Sequence, residues 1–123
     1  MVRTDFDSFY FETDVLHIGE LPVMLVELCG KISNNNAFEI SKKISIVFED
    51  KIYNLILDLS SLEYINSTGI AMLLTIIRTV AQKNGKIVIG GIHPFLETIL
   101  NLIEIPKDVV IYESKDKAKS AWS

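Results

Sequence analysis

Leu55-Ile56-Leu57-Asp58-Leu59-Ser60-Ser61-Leu62-Glu63-Tyr64-Ile65-Asn66-Ser67-Thr68-Gly69-Ile70-Ala71 is the stretch whose reading decides the fold. Its first part completes an apolar run from Ile52 to Ser60, the pattern of a strand covered on both faces. Its second part opens a helix at Ser67, whose expected buried stripe is Ile70, Leu73, Leu74, Ile77, Val80 and Ala81. A buried strand feeding a helix is the repeating unit of a parallel sheet. A serine at the mouth of that helix can cap it, accept a phosphate or present a face to a partner.

Outward from this unit, Asn84-Gly85 is a helix-stop pair. Upstream, Ser33-Asn34-Asn35-Asn36 signals a loop, and Glu39 stands three residues after Asn36 as in a capping box. Ala37, Ile40, Ile44, Val47 and Phe48 then recur at helical spacing and predict a helix to about Glu49. Ser8 to Gly30 is β-rich, with Glu20-Leu21-Pro22 as a turn and Val23 to Leu28 as a mostly buried strand. Ser8 to Gly19 fits either one bent strand or a short hairpin. Downstream, Lys86 to Ile92 reads as a strand, and Pro94 opens a helix striped by Phe95, Leu96, Ile99, Leu100 and Ile103. Val109 to Tyr112 is a last strand and Lys115 to Trp122 a short helix. The order β, β, α, β, α, β, α, β, α predicts an α/β fold: a mostly parallel sheet with an antiparallel edge strand and about four helices.

The 123 residues suit a single domain, and 49% hydrophobic against 23% charged residues describes a chain that folds. A net charge of −4 argues against nucleic acid as a partner. No apolar run approaches the ~18 residues of a membrane span, so no membrane insertion is expected. The segment from Met1 to Glu12 lacks the basic flank of a signal peptide, which points to the cytoplasm. Cys29 is the only cysteine and lies among Leu25, Val26 and Leu28, the setting of an inert buried thiol. His17 and His93 are far apart and ungrouped, so neither a metal nor a cofactor is expected. Asp5, Asp7, Glu12, Asp14, Glu20 and Glu27 against Arg3 alone fit an edge strand guarded by charge.

Ser67 is expected at the N-cap of its helix, accepting from the amide of Gly69 or Ile70, a contact worth ~1 kcal/mol. Three features exceed that role. Asn66, Ser67 and Thr68 form a polar triplet where one cap suffices. Gly69 costs up to ~1 kcal/mol inside a helix and leaves the backbone open to close approach. The positive end of the helix suits a dianion, and a phosphate on Ser67 would add ~1.5 to 2 negative charges there.

The run from Leu57 to Ile70 resembles the signature of STAS domains, in particular the bacterial anti-sigma factor antagonists. That family reads roughly L-D-[LF]-S in the strand, then D-S-[STA]-G-[LI] at the helix start. Gly30-Lys31-Ile32-Ser33 stands where the family has its G-x-[LI]-D strand exit, and Asn84-Gly85-Lys86 resembles its turn into the next strand. The likeness runs from about Phe9 to Ala118. It implies a non-enzymatic binding domain that sequesters an anti-sigma factor or an ATPase-type serine kinase while Ser67 is unphosphorylated. The kinase would phosphorylate Ser67 and break the complex, and a serine phosphatase would reset it. The implied contact surface is Ser33, Asn34, Asn35 and Asn36 with Asn66, Thr68, Gly69 and Met72, where Met72 is expected to point away from the stripe as an exposed apolar contact. Two acids of the family pattern are replaced, by Asn66 before the serine and by Ser33 at the strand exit. Thr68 is a lesser second acceptor.

Three other readings compete. A receiver domain would use Asp58 as its acceptor, but the acidic pair and the lysine of that chemistry are not in place; Asp58 is expected to bind the amides around Ser60 to Leu62. A small enzyme lacks a glycine-rich phosphate loop and a G-x-S-x-G elbow, and His93 suits a cap of the third helix or a solvent-facing position. The serious alternative is a STAS subunit of another assembly, such as a lipid transporter, a stress-signalling or a second-messenger complex.

Overall fold

A computed structural model describes residues 2–102 and 109–122. Seven strands form one sheet: β1 (Val2–Phe6), β2 (Phe9–Ile18), β3 (Leu21–Ile32), β4 (Leu55–Asp58), β5 (Leu62–Ile65), β6 (Ile87–Gly90) and β7 (Val110–Tyr112). The helices are α1 (Ala37–Lys43), α2 (Ser67–Gln82), α3 (Pro94–Leu102) and α4 (Lys115–Ser120). The sheet order is β1-β2-β3-β4-β6-β7, with β5 paired separately to β3. The β1–β2 and β2–β3 pairs are antiparallel, and β3–β4, β3–β5, β4–β6 and β6–β7 are parallel. The expected α/β architecture stands.

Its antiparallel side is larger than expected. Of the two alternatives for Ser8 to Gly19 the structure has the single strand, β2, and places a hairpin on either side of it. The turn into β3 falls at Gly19-Glu20, and Pro22 is already inside the strand. The helix expected to Glu49 stops at Lys43 and tightens into a 3₁₀ turn over Ile44–Phe48. There Ile44 and Val47 stay buried, so the apolar spacing survives the change of winding.

β4 supplies Leu55, Ile56 and Leu57, all fully buried, because the sheet is covered on both faces. Leu55 and Leu57 face the main core with Met24, Val26, Leu28, Leu73, Ile77 and Leu100. Ile56 faces a smaller layer with Val23, Leu25, Val88 and Ala118, under α4. The α2 stripe is Gly69, Met72, Leu73, Ile76, Ile77 and Val80, rotated by about one position from the expected one. Leu74 is half-buried and Ala81 exposed. In α3, Leu96 and Leu100 are buried and Ile99 partly so, whereas Phe95 is 67% exposed; Ile103 lies outside the described residues.

The Asn84-Gly85 stop works as read. Asn84 takes φ 58°, its amide bonds Ala81 O at 3.1 Å, and the Gly85 amide reaches back to Val80 O at 2.9 Å.

Candidate functional site

The site exists because β3 is twelve residues long and β4 only four. β4 pairs with the first half of β3, Met24 to Glu27. The chain then turns at Leu59–Ser61 and sidesteps, so that β5 pairs with the far end of β3, Ile65 beside Ile32. The Asn66 amide continues this ladder to Ile32 O at 3.0 Å. The loop leaving β3 and the mouth of α2 are thereby brought side by side, and the Asn66 Nδ2 amine donates to Asn34 Oδ1 at 3.1 Å across them.

Asn66, and not Ser67, is the N-cap. Its Oδ1 accepts from the Gly69 amide at 2.9 Å, and its carbonyl accepts the Ile70 amide at 3.0 Å. Ser67 is the first helical residue. Its side chain is exposed, and among the described residues its hydroxyl has no hydrogen-bond partner. Thr68 is exposed beside it. The amides of Ser67 and Thr68 are the two at this helix end left without a described partner, and no acidic residue occupies the first turn. The end of α2 is therefore uncompensated positive dipole with a free hydroxyl on it.

Four expected contact residues are placed otherwise. Gly69 is buried, and a Cβ there would come within 2.5 Å of Ile65 Cγ1 and 2.9 Å of Ile32 Cγ2. Its glycine serves the seating of α2 on β3 and β5, not the approach of a ligand. Met72 is 5% exposed, because α2 also packs against α1 and so buries a wider arc. Asn36 is 3% exposed and does not cap α1 with its side chain. Its Oδ1 takes the Ser33 amide, and its Nδ2 donates to Asp7 O and to Lys31 O, so it staples the loop to the β1–β2 turn. Ser33 is half-buried, its amide spent on Asn36 and its carbonyl on the amides of Asn36 and Ala37. Asn34 and Asn35 are exposed, as a contact surface requires.

The apolar surface near the site comes from residues the sequence reading passed over. Tyr64, two residues before the cap, is 55% exposed, and Phe38, in the first turn of α1, is 68% exposed with Lys42 Nζ 4.5 Å from its ring centre. Tyr64 and Phe95 line a small apolar cleft with Leu62, Ile65 and Leu96. Tyr64 had one visible signal: an aromatic between Glu63 and the buried Ile65.

The competing sites are occupied. Asp58 is 6% exposed, and its Oδ1 accepts both the Ser60 amide at 3.0 Å and the Ser60 hydroxyl at 2.7 Å. This is the turn role expected of it. His93 Nδ1 accepts the Phe95 amide at 3.2 Å and so caps α3. Cys29 is buried, and burial pushes its thiol up despite a hydrogen bond with Tyr10. Among the described residues no group of three His, Cys, Asp or Glu could hold a metal, and no helix is long and apolar enough to cross a membrane.

Residues 14–118 match the STAS domain family. Solved structures of the same fold include an anti-sigma factor antagonist from Mycobacterium paratuberculosis, 25% identical over 90% of this chain and 92% of that one, with a TM-score of 0.63. The Bacillus cell fate determinant SpoIIAA in its phosphorylated form is 14% identical over 91% of this chain and 100% of its own, with a TM-score of 0.67. A sulfate transporter family protein from Wolinella succinogenes is 20% identical over 81% and 84%, with a TM-score of 0.65.

Proposed function

We propose that this chain, which belongs to the STAS domain family, is a phosphorylation-switched protein-binding domain acting as an anti-sigma factor antagonist. The observation that carries the reading is the division of labour at α2: Asn66 performs the capping, so Ser67 is free to be modified. A hydroxyl engaged in the cap would first have to leave its amide to reach a kinase, whereas among the described residues nothing holds that of Ser67. Here the phosphate would enter a position with free amides, a favourable dipole and no acid in the first turn.

The partner surface is Asn34, Asn35, Ser67 and Thr68, with Tyr64 and Phe38 as aromatic anchors in place of the buried Met72. An anti-sigma factor or an ATPase-type serine kinase binds this surface in the unmodified state, and phosphate on Ser67 expels it by placing ~1.5 to 2 negative charges in the contact. A serine phosphatase resets the switch. No catalytic role falls to any residue of the site, and the setting is the cytoplasm. The Asn66 and Ser33 replacements lighten the local negative charge, so the phosphate meets less repulsion. They also remove carboxylates that a kinase could use to orient the hydroxyl.

That loss favours a second reading, a STAS subunit of another assembly without a phospho-switch, and the fold is also that of a transporter-family protein. A capture experiment separates the two. Wild type and Ser67→Asp are used as bait in lysate of the native cells, and the captured proteins are identified by mass spectrometry. The switch reading expects an ATPase-type serine kinase or an anti-sigma factor on wild type alone. Equal capture by both baits, or a transporter subunit on either, favours the second reading.

A further inference from the structure

Among the described residues the longest strand paired on one side only is β1, with five residues. The β1–β2 connection is a two-residue turn over Asp7 and Ser8, closing on Phe6 opposite Phe9. Such a turn closes on a hydrogen-bonded pair, and pairs then alternate along the ladder. Phe6, Thr4 and Val2 therefore direct their main-chain groups toward β2, while Arg3 and Asp5 direct theirs outward to the open edge.

The side chains alternate too. Phe6 stacks on Phe11 and meets Phe9 at a tilt on the core face, where Val2 at the edge is left 59% exposed. Arg3 and Asp5 lie on the other face, Arg3 over the Tyr10 ring at 3.6 Å and 2.9 Å from Asp5 of its own strand.

We propose that β1 pairs antiparallel with β1 of a second copy of this chain about a two-fold axis at Thr4. In that register Arg3 faces Asp5 of the second copy, and Asp5 faces its Arg3. Val2 faces Phe6 of the second copy on the opposite face. Every position meets its complement, charge with charge and apolar with apolar. The pairs that must exchange main-chain hydrogen bonds, Arg3 with Asp5 in both directions, are the ones whose groups point outward. A slip by one residue would place apolar side chains against charged ones and turn the hydrogen-bonding groups away. The charges on this strand thus select one partner, where charge of a single sign would only repel. The contact is isologous and closes at two copies. It leaves both α2 mouths in place, so one dimer carries two copies of the candidate partner site and gains avidity for a bivalent partner.

The interface is short, so the dimer is weak and concentration-dependent. Sedimentation velocity from about 10 μM to about 1 mM at physiological salt covers the range where a small interface populates. Wild type is expected to pass from monomer to dimer. Asp5→Arg should raise the dissociation constant about tenfold or more by setting Arg3 against arginine twice. The double exchange Arg3→Asp with Asp5→Arg should restore it to within about threefold. Amide hydrogen exchange gives a register-specific reading on wild type, since the Arg3 and Asp5 amides should gain protection with concentration and that of Thr4 should not. Circular dichroism confirms that each variant is folded. Wild type monomeric throughout, a folded double exchange that fails to restore pairing, or a dimer without protection at Arg3 and Asp5 would each overturn the proposal.

Discussion

Ser60 and Ser67 both lie within two residues of a polar side chain on the path from β4 to α2, and they end in opposite states. Ser60 gives its hydroxyl and its amide to the same oxygen of buried Asp58, two residues before it. Ser67 follows Asn66, which spends its oxygen on Gly69 and its amine on Asn34 and leaves the serine alone. A hydroxyl becomes available for chemistry when a neighbour does the structural work. Both serines are exposed, but the first is held in a turn by buried Asp58, whereas the second stands unheld on a positive helix end.

Substitutions can break this comparison from either side. The largest effect is expected at the seat of α2. Gly69→Val would press side-chain carbon against Ile65 and Ile32 and cost about 3 kcal/mol, read by denaturant unfolding. Next is Asp58→Ala, expected to cost about 2 kcal/mol because the Ser60 amide loses its partner, while capture of the binding partner persists. Loss of capture by folded Asp58→Ala would mean that the two regions are not independent.

Smaller effects sharpen the contrast at the mouth itself. Asn66→Ala should cost about 1 kcal/mol, the value of a cap, whereas Ser67→Ala should stay within about 0.5 kcal/mol of wild type. Equal losses would put the cap back on the serine. On the Asp58 side, Lys115 Nζ lies 3.0 Å from Glu27 Oε1, and that hydrogen bond raises the lysine above its ordinary 10.5. The raised value means that the contribution is complete below about pH 10.5 and is lost as pH climbs through the folded-state value. With the lysine side chain 35% exposed, Lys115→Ala should cost about 0.5 kcal/mol at pH 7. The difference from wild type should vanish only in strong alkali, checked by urea unfolding at a series of pH values.

Much of this was legible in the residues. The apolar run at Leu55–Leu57, the Asn84-Gly85 stop and the bonds from Ser60 to Asp58 follow from local rules that tertiary packing had no reason to override. The misses have a common cause in long-range pairing. β5 is four residues with only its ends buried, so Leu62-Glu63-Tyr64-Ile65 shows no strand period of its own. β1 carries Arg3 and Asp5 and reads as polar until β2 is seen beside it. Asparagine and serine cap equally well, and the choice between Asn66 and Ser67 was made by the β5 ladder, which fixes the Asn66 amide on Ile32. Asn36 has the sequence of a cap but is drawn inward by two carbonyls, one of them on Asp7 across the fold. Met72 was misplaced because the contact of α2 with α1 cannot be read from the period of α2 alone.

The central claim is that Ser67, and not Ser60, is the modified hydroxyl. Phosphopeptide mapping of the chain recovered from its native cells, in growth and under stress, tests it most directly. The account predicts phosphate on Ser67 with Ser60 unmodified in every sample. Phosphate on Ser60, or none on Ser67 under any condition, would contradict it and return α2 to being a capped helix with an idle serine.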